Sequence, residues 1–371
     1  MRAFFAISLA LITGCGDNLG DGDGSAAESS DLHETDGVLD DGIVGKLVPQ
    51  VCASRAWPEA IVEAQDSDIA VVEMPHGSAV LAVPRRGGDL RGFLLDARRL
   101  VIGNPEGTRI LGGNFSSVSA SRIEERLVVG VTDGTTASVN VLRNDLGDYR
   151  QLTSVPGSFV GDATVMHARD HRVSLTAGIG GLTLSTFDQA WTPMANEVIA
   201  RATPTSLTSA QYGGDAMVAW SSAESCHLLR VAAGVHASQD IPCKNASLAT
   251  NFDGNAAELV FEHDKGIWLS NIRASTHSEL TNHNLLVPDA TAPRAIFDGE
   301  RTWVSYVNHH GDVTVGYLDE HNQLVSTAIH GTRPLNGSYD LAFIGGAIWV
   351  YAVDAETGFN ASRLCLVRER R

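Results

Sequence analysis

The chain has 371 residues, 43% of them hydrophobic, and a formal charge of −17 at pH 7. The length fits two ordinary domains or one large β-rich domain, and the apolar content is enough for a substantial core. The acidic balance argues against a nucleic-acid binder and against attachment to anionic lipid through a basic face.

Met1-Arg2 is a short basic start, and a largely apolar run fills positions 3–12. That run is too short to span a bilayer, which needs about 20 residues, but it suits the apolar core of a signal peptide. It ends in Ile12-Thr13-Gly14-Cys15. A branched apolar residue, a small residue and then Gly directly before Cys resembles the lipobox of bacterial lipoproteins. The resemblance implies a signal peptide over residues 1–14, cleavage before Cys15, and a diacylglycerol on the Cys15 thiol that holds the protein to a membrane. Gly16 rather than Asp follows the cysteine. The family's common inner-membrane retention signal is therefore absent, and a host with two membranes would place the protein at the outer one.

Residues 15–43 are expected to form a disordered acidic tether. Asp17, Asp21, Asp23, Glu28, Asp31, Glu34, Asp36, Asp40 and Asp41 fall here with no Lys or Arg, so the body beyond is only mildly acidic. With almost no large apolar side chain the segment cannot bury surface. Asp21-Gly22-Asp23-Gly24 lacks the spaced ligands and terminal Glu of a calcium loop and reads as solvated spacer. A flexible stretch of this length spans on the order of 30 Å.

From residue 44 onward the chain repeats one unit, seen most clearly over 293–329. There Arg294–Phe297, Thr302–Tyr306, Val313–Tyr317 and Leu324–Ile329 read as four short strands. Turns at Asp298-Gly299, at His309–Asp312 and at Asp319–Asn322 separate them. Four strands joined by tight turns make one twisted antiparallel sheet, which is the outline of a propeller blade. Second strands centre on Val80-Leu81, Val128-Val129, Val173, Met217-Val218, Leu259-Val260, Trp303-Val304 and Trp349-Val350, 42–48 residues apart, which is the period of such blades. Third strands follow at Leu90–Leu95, Ser138–Leu142, Leu182–Phe187, Cys226–Val231, Ile267–Ile272, Val313–Tyr317 and Leu364–Val367. The fold class is all-β, a seven-bladed β-propeller over residues 44–371. Six blades with a different strand allocation are the alternative.

The seventh unit has no outer strand, because only four residues follow Val367. An unpaired edge is a liability, and the segment Leu47–Cys52 is placed to fill it. Cys52 and Cys365 would then be neighbours, so a disulfide is expected to lock the ring. A second is expected between Cys226 and Cys243, which are equidistant from the turn around 233–236, as opposed residues of one hairpin would be. One lipid site and two bridges suit an oxidising compartment; the alternative leaves some thiols free in buried strands.

Motifs that carry chemistry are missing. The chain has no G-x-S-x-G elbow, H-E-x-x-H, C-x-x-C or P-loop, no Trp-Asp dipeptide ending the third strands, and no expected cofactor or metal. In a propeller the loops from strand two to three and those between blades gather on one face. Here they carry Arg85-Arg86, Thr132-Asp133, Glu224, His263-Asp264, His309-His310, Asp354 with Glu356, and between blades His330 and Arg333. Of these, Arg85, Arg86, Asp133, His263, Asp264, His309, His310, His330 and Arg333 form the candidate binding face. Trp220, Trp268, Trp303 and Trp349 lie inside strands and are expected to pack between blades. The function expected is a non-catalytic, monomeric, lipid-anchored scaffold for an envelope protein or a polysaccharide. The alternative is an enzyme acting on glycans, which needs paired carboxylates about 5–10 Å apart at the channel mouth.

Overall fold

A computed structural model describes residues 46–57, 69–84, 89–133, 135–156, 165–178, 180–202, 204–222, 224–250, 257–272, 280–354 and 358–368. These residues contain no α-helix; apart from one 3-10 turn at Pro75–Gly77, their regular structure is strand.

The first strand, β1 (Leu47–Trp57), is used last. Blade 1 holds β2 (Ala70–Glu73), β3 (Ala79–Pro84), β4 (Leu90–Leu95) and a divided outer strand, β5 (Val101–Ile102) and β6 (Thr108–Leu111), both paired to β4. Blade 2 is β7 (Ser117–Ile123), β8 (Arg126–Thr132), β9 (Thr136–Arg143) and β10 (Arg150–Pro156). Blade 3 is β11 (Val165–Ala168), β12 (His171–Gly178), β13 (Gly181–Phe187) and β14 (Pro193–Ala200). Blade 4 is β15 (Ser206–Tyr212), β16 (Asp215–Ser221), β17 (Cys226–Arg230) and β18 (Val235–Gln239). Blade 5 is β19 (Lys244–Thr250), β20 (Ala257–His263), β21 (Gly266–Ile272) and β22 (Leu280–Pro288). Blade 6 is β23 (Thr291–Phe297), β24 (Thr302–Val307), β25 (Val313–Leu318) and β26 (Leu324–Ala328). Blade 7 is β27 (Pro334–Ile344), β28 (Ala347–Asp354), β29 (Gly358–Arg368) and, on its outside, β1.

The inner strands β2, β7, β11, β15, β19, β23 and β27 each touch the next, and β27 touches β2. The ring is closed and has seven blades, not six. All seven second-strand centres read from the sequence fall inside β3, β8, β12, β16, β20, β24 and β28. Those strands are rich in apolar residues and largely buried because a neighbouring blade covers each face: every residue of β16 and of β28 is buried. Toward the periphery one face opens to solvent, and all of β14 except its last two residues is exposed.

Closure follows the expected route. β1 runs antiparallel to β29, from Leu47 opposite Arg368 to Trp57 opposite Phe359, with a bulge between Val51 and Ala53. The borrowed strand thus continues five residues past Cys52. Cys52 lies in that bulge and bridges to Cys365, with the Cα atoms 5.8 Å apart. The Tyr317 hydroxyl donates to Leu47 O at 2.8 Å, which pins the borrowed strand to blade 6 as well.

The second bridge, Cys226–Cys243, is also present, but its geometry differs from the hairpin expectation. Cys226 lies opposite Gln239 in the β17–β18 pair, and Cys243 lies beyond that strand, in the connection to β19. The turn is centred nearer 232 than 235, because Val231–Gly234 close it. The chain must then fold back after β18 to bring Cys243 to the start of β17. The bridge therefore staples the crossover between blades 4 and 5. Both sulfurs are buried, Cys226 being 1% and Cys243 0% exposed.

At the hairpins from strand one to two, Asp298-Gly299 shows why those residue types recur. Gly299 has φ 106°, which a side chain would strain. The Asp298 carboxylate accepts the Glu300 and Arg301 amides at 2.8 and 2.7 Å and the Trp303 indole N–H at 2.6 Å. In blades 1, 2, 3 and 6 the hairpins from strand three to four use a five-residue loop whose fourth residue is left-handed: Arg99 (φ 62°), Leu146 (φ 66°), Trp191 (φ 65°) and Asn322 (φ 58°); blade 4 turns in four residues instead, Val231–Gly234. In blades 1, 3 and 6 the loop opens with Asp96, Asp188 or Asp319, whose carboxylate accepts backbone N–H groups inside the loop. Those bonds offset the cost of a non-glycine residue at positive φ.

Candidate functional site

The loops joining second to third strands and the connections between blades lie at the strand ends opposite the Asp298 hairpin. On blade 6 this end is built by Asn308. Its Oδ1 accepts the His310 and Asp312 amides at 2.9 and 3.1 Å, and its Nδ2 donates to Thr314 Oγ1 at 3.2 Å. That shell holds His309 and His310 on the outside of the turn, both exposed, with ring centroids 3.7 Å apart.

The crossover into blade 7 docks against the same loop. Ile329 N donates to Val313 O at 2.8 Å, and Val313 N donates to Thr332 O at 3.0 Å. Exposed His330 lies in that turn. Arg333 leaves it and does two things: its Nε meets Asp312 Oδ1 at 3.2 Å, and its backbone N–H donates to Asp354 Oδ2, at the end of β28, at 2.8 Å. The structure thus gathers His309, His310, His330 and Arg333 into one patch, with Asp312 and Asp354 as its internal anchors.

Blade 5 is joined to this patch from the other side. Glu262 Oε1 accepts Asn245 Nδ2 at 2.9 Å and also the Ala292 amide, at the entry to blade 6. The Tyr339 hydroxyl of blade 7 donates to Ala292 O. One residue, Ala292, therefore takes bonds from blades 5 and 7. Beside Glu262, His263 Nε2 lies 3.2 Å from Asp264 Oδ2, and Trp268 Nε1 donates to His263 O at 2.8 Å. On the outer strand β22, the exposed His283 brings its Nδ1 to 2.6 Å from Ser270 Oγ. Burial, and then the neighbouring His263, push the His283 pKa down.

Asp133 stands apart on blade 2. It caps its own hairpin, accepting Thr135 Oγ1 and the Thr135 and Thr136 amides at 2.7–2.8 Å. The Thr135 hydroxyl bond leads the causes that lower its pKa. Thr132 beside it is 1% exposed, and Glu224 on blade 4 is exposed. Among the described residues no hydrogen bond or ion pair links Asp133, the His263–Asp264 pair and the His309–His310 pair to one another. Cys15, Arg85, Arg86 and Glu356 lie outside the described residues. Among the described residues no group of three or more His, Cys, Asp or Glu is arranged to hold a metal ion.

Four residues that build the site were not singled out from the sequence: Asn308, Asp312, Glu262 and Tyr339. Asn308 and Asp312 carry a local signal, polar residues flanking Gly311 in a five-residue turn. Glu262 and Tyr339 carry none, since their partners lie 30 and 47 residues away. Of the strand tryptophans, Trp220, Trp303 and Trp349 are buried, at 4%, 3% and 8% exposed, whereas Trp268 is only half-buried and sets its ring edge-on to His263.

No protein-family model matches the sequence, and no curated protein does. Solved structures do match in fold. A WD40 domain from Toxoplasma gondii coronin aligns with TM-score 0.55 and 12% identity, over 88% of this chain and 90% of that one. A lectin from Burkholderia pseudomallei aligns with TM-score 0.62 and 14% identity, over 82% of this chain and 96% of that one. These likenesses place the chain among β-propellers. The resemblance to a WD40 domain is one of architecture, without the recurring Trp-Asp dipeptide.

Proposed function

We propose that the protein is a non-catalytic binding platform of the bacterial cell envelope. It is anchored through a lipid on Cys15, acts as a monomer, and presents the rim of blades 5 to 7 to a polysaccharide or protein partner. The observation that carries this reading is the cross-linking of three successive blades beneath an exposed polar surface. Glu262, Ala292 and Tyr339 join blades 5, 6 and 7, and Arg333 joins the blade 6 loop to Asp354. Above that frame stand His309, His310, His330 and the Arg333 side chain, which is 68% exposed. A rim held in one geometry before binding loses little entropy when a partner arrives. Imidazole and guanidinium groups donate hydrogen bonds to hydroxyls and carboxylates, the groups an acidic polysaccharide displays. Two disulfides suit an extracytoplasmic address, and the propeller likeness to a lectin is compatible with a carbohydrate partner.

Glycan hydrolysis by this rim is disfavoured by the engagement of its two inner carboxylates. Asp312 Oδ1 pairs with the Arg333 guanidinium and Asp354 Oδ2 accepts its backbone N–H, which gives both carboxylates a structural role as acceptors, whereas a general acid must donate a proton.

The test is crosslinked capture from an envelope extract, run beside a polysaccharide panel, with the Cys15→Ala chain as soluble bait. Binding that falls at least tenfold in His309→Ala/His310→Ala and in Arg333→Ala is the expected result. Binding unchanged in both variants refutes the rim, and a polymer that shortens with time refutes the non-catalytic reading. Cys15→Ala should itself leave the membrane fraction; a variant that still sediments with lipid contradicts the anchor.

A further inference from the structure

We infer that the seam between blades 7 and 1 holds a small oxyanion, seated by Arg99, Arg363 and Tyr351. The seat lies at the strand ends opposite the proposed binding rim and is independent of it.

Trp349 and Arg363 are directly opposed across β28 and β29, and Tyr351 stands two residues along β28 on the same face. Arg99 comes from the five-residue hairpin of blade 1 and lays its guanidinium on Trp349, with Cζ 4.4 Å from the ring centroid. Its Nη1 donates to Gly77 O at 2.7 Å and to Asp96 O at 3.0 Å, and the residue is 1% exposed. Arg99 thus covers the Trp349 indole, and Tyr351 and Arg363 are its neighbours on the same face of the sheet.

Each of the three buries a polar atom with no partner: Arg99 Nε, Arg363 Nε and the Tyr351 hydroxyl. Tyr351 is 0% exposed. A buried donor left unsatisfied is costly, more so for a charged group, and an arginine cannot shed its proton to escape. The carboxylates whose charge reaches Arg99 or Tyr351 are Asp96, Glu73 and Asp340, and each accepts backbone amides: Asp340 takes Val71 N at 2.8 Å and Leu341 N at 2.9 Å. Asp96 Oδ1 accepts Arg98 N and Leu100 N at 2.8 and 2.7 Å, and Glu73 Oε1 accepts Gly345 N at 2.9 Å. Among the described residues neither Arg99 nor Arg363 forms an ion pair with a carboxylate. Burial is the largest cause lowering the Arg99 pKa; Tyr351, Asp96 and Glu73 oppose it, and Arg363 adds the smallest push downward.

Three donors, two of them cationic, call for an acceptor with several lone pairs and negative charge. One water offers two lone pairs and no charge; sulfate, phosphate or a small carboxylate offers more of both. The near-complete burial of Arg99 and Tyr351 excludes a polymer. The ligand is a free small anion that fastens the seam where the first and last blades meet.

The experiment is thermal unfolding of the full chain with sulfate, phosphate or acetate titrated at constant ionic strength over a chloride background, alongside calorimetry with the same anions. At least one should raise the melting temperature saturably, by roughly 3–5 °C at a hundredfold excess over its dissociation constant. Arg363→Gln should abolish that response. Tyr351→Phe, which only removes a hydroxyl, should weaken the anion's affinity about tenfold while leaving anion-free stability equal or higher. An intact protein with no saturable response to any of the three anions overturns the inference. So does an undiminished response in both variants, or in Tyr351→Phe alone if Arg363→Gln fails to fold.

Discussion

The two halves of the ring are sewn together differently. From blade 4 to blade 7 the joints include small hydroxyls on the inner strands. Ser206 Oγ accepts Ala246 N at 2.9 Å, Thr208 Oγ1 accepts Leu248 N at 3.2 Å, and Ser247 Oγ accepts Ala295 N at 2.9 Å. Tyr339 continues the series into blade 7. From blade 1 to blade 3 the joints are large side chains thrown backward from the outer hairpins. Leu146 of blade 2 reaches blade 1 at Gly92, where a Cβ would meet its Cδ1 at 2.7 Å. Trp191 of blade 3 packs with Leu152, Val139 and Val141 of blade 2, beneath the Arg172 guanidinium at 4.1 Å. Arg150 donates to Trp191 O at 2.8 Å, and Arg172 pairs with Glu124 at 2.9 Å. Hydroxyl joints fix backbone against backbone within hydrogen-bond tolerance, whereas apolar plugs contribute more energy and less positional exactness. The half that carries the proposed binding rim is the half that uses the first kind.

That contrast can be broken in graded steps. Cys52→Ser severs the bond that holds the borrowed strand and should affect both halves most, by roughly 5 kcal/mol for so long a closed loop. Urea unfolding under oxidising conditions measures it, and non-reducing peptide mapping of the parent should recover Cys52 linked to Cys365. Trp191→Ala empties a plug and should cost about 3–5 kcal/mol, with exchange rising in blades 2 and 3 and unchanged in blades 5 to 7. Ser247→Ala leaves the Ala295 amide without its acceptor and should cost about 1–2 kcal/mol. Its distinguishing effect is weaker partner binding through a displaced blade 6, which Trp191→Ala should not reproduce.

Acid should have the smallest effect. His227 and His283 both have folded-state pKa values lowered from 6.5, chiefly by burial and secondarily by His236 and His263 respectively. The folded state then favours the neutral ring, so the unfolded chain binds more protons below that value. Stability is fullest above pH 6.5 and declines as the pH falls through the folded-state values. The urea midpoint should drop between pH 7.5 and 5.5, and His227→Gln should flatten the drop; an unchanged slope in that variant would assign the effect elsewhere.

Much of the architecture is legible in the residues. Runs such as Ala216–Trp220 and Ile348–Val353 lie under a blade on each face, so they stay apolar and repeat at the blade period. The missing outer strand of the last unit and the cysteines at 52 and 365 together announce the closure. The joints between blades are not legible. Ser206 and Ala246 are 40 residues apart, Ser247 and Ala295 are 48, and a serine in a strand looks alike whether it faces a neighbour or solvent. The left-handed hairpin positions hid for another reason. Arg99, Leu146 and Trp191 occupy a conformation usually given to Gly or Asn, because their side chains are needed as plugs. Sequence placed His309, His310, His330 and Arg333 on one face; only the bonds through Val313, Asp312 and Asp354 show that they share a patch.

The most direct test of the central claim, a rim fixed before any partner binds, is residue-resolved hydrogen exchange on the unliganded protein. The Ala292, Asp312 and Arg333 amides are bonded to the side chains of Glu262, Asn308 and Asp354. They should exchange as slowly as the flanking strands, and far more slowly than exposed loop amides. Exchange at those three positions at the rate of open loops would contradict the account.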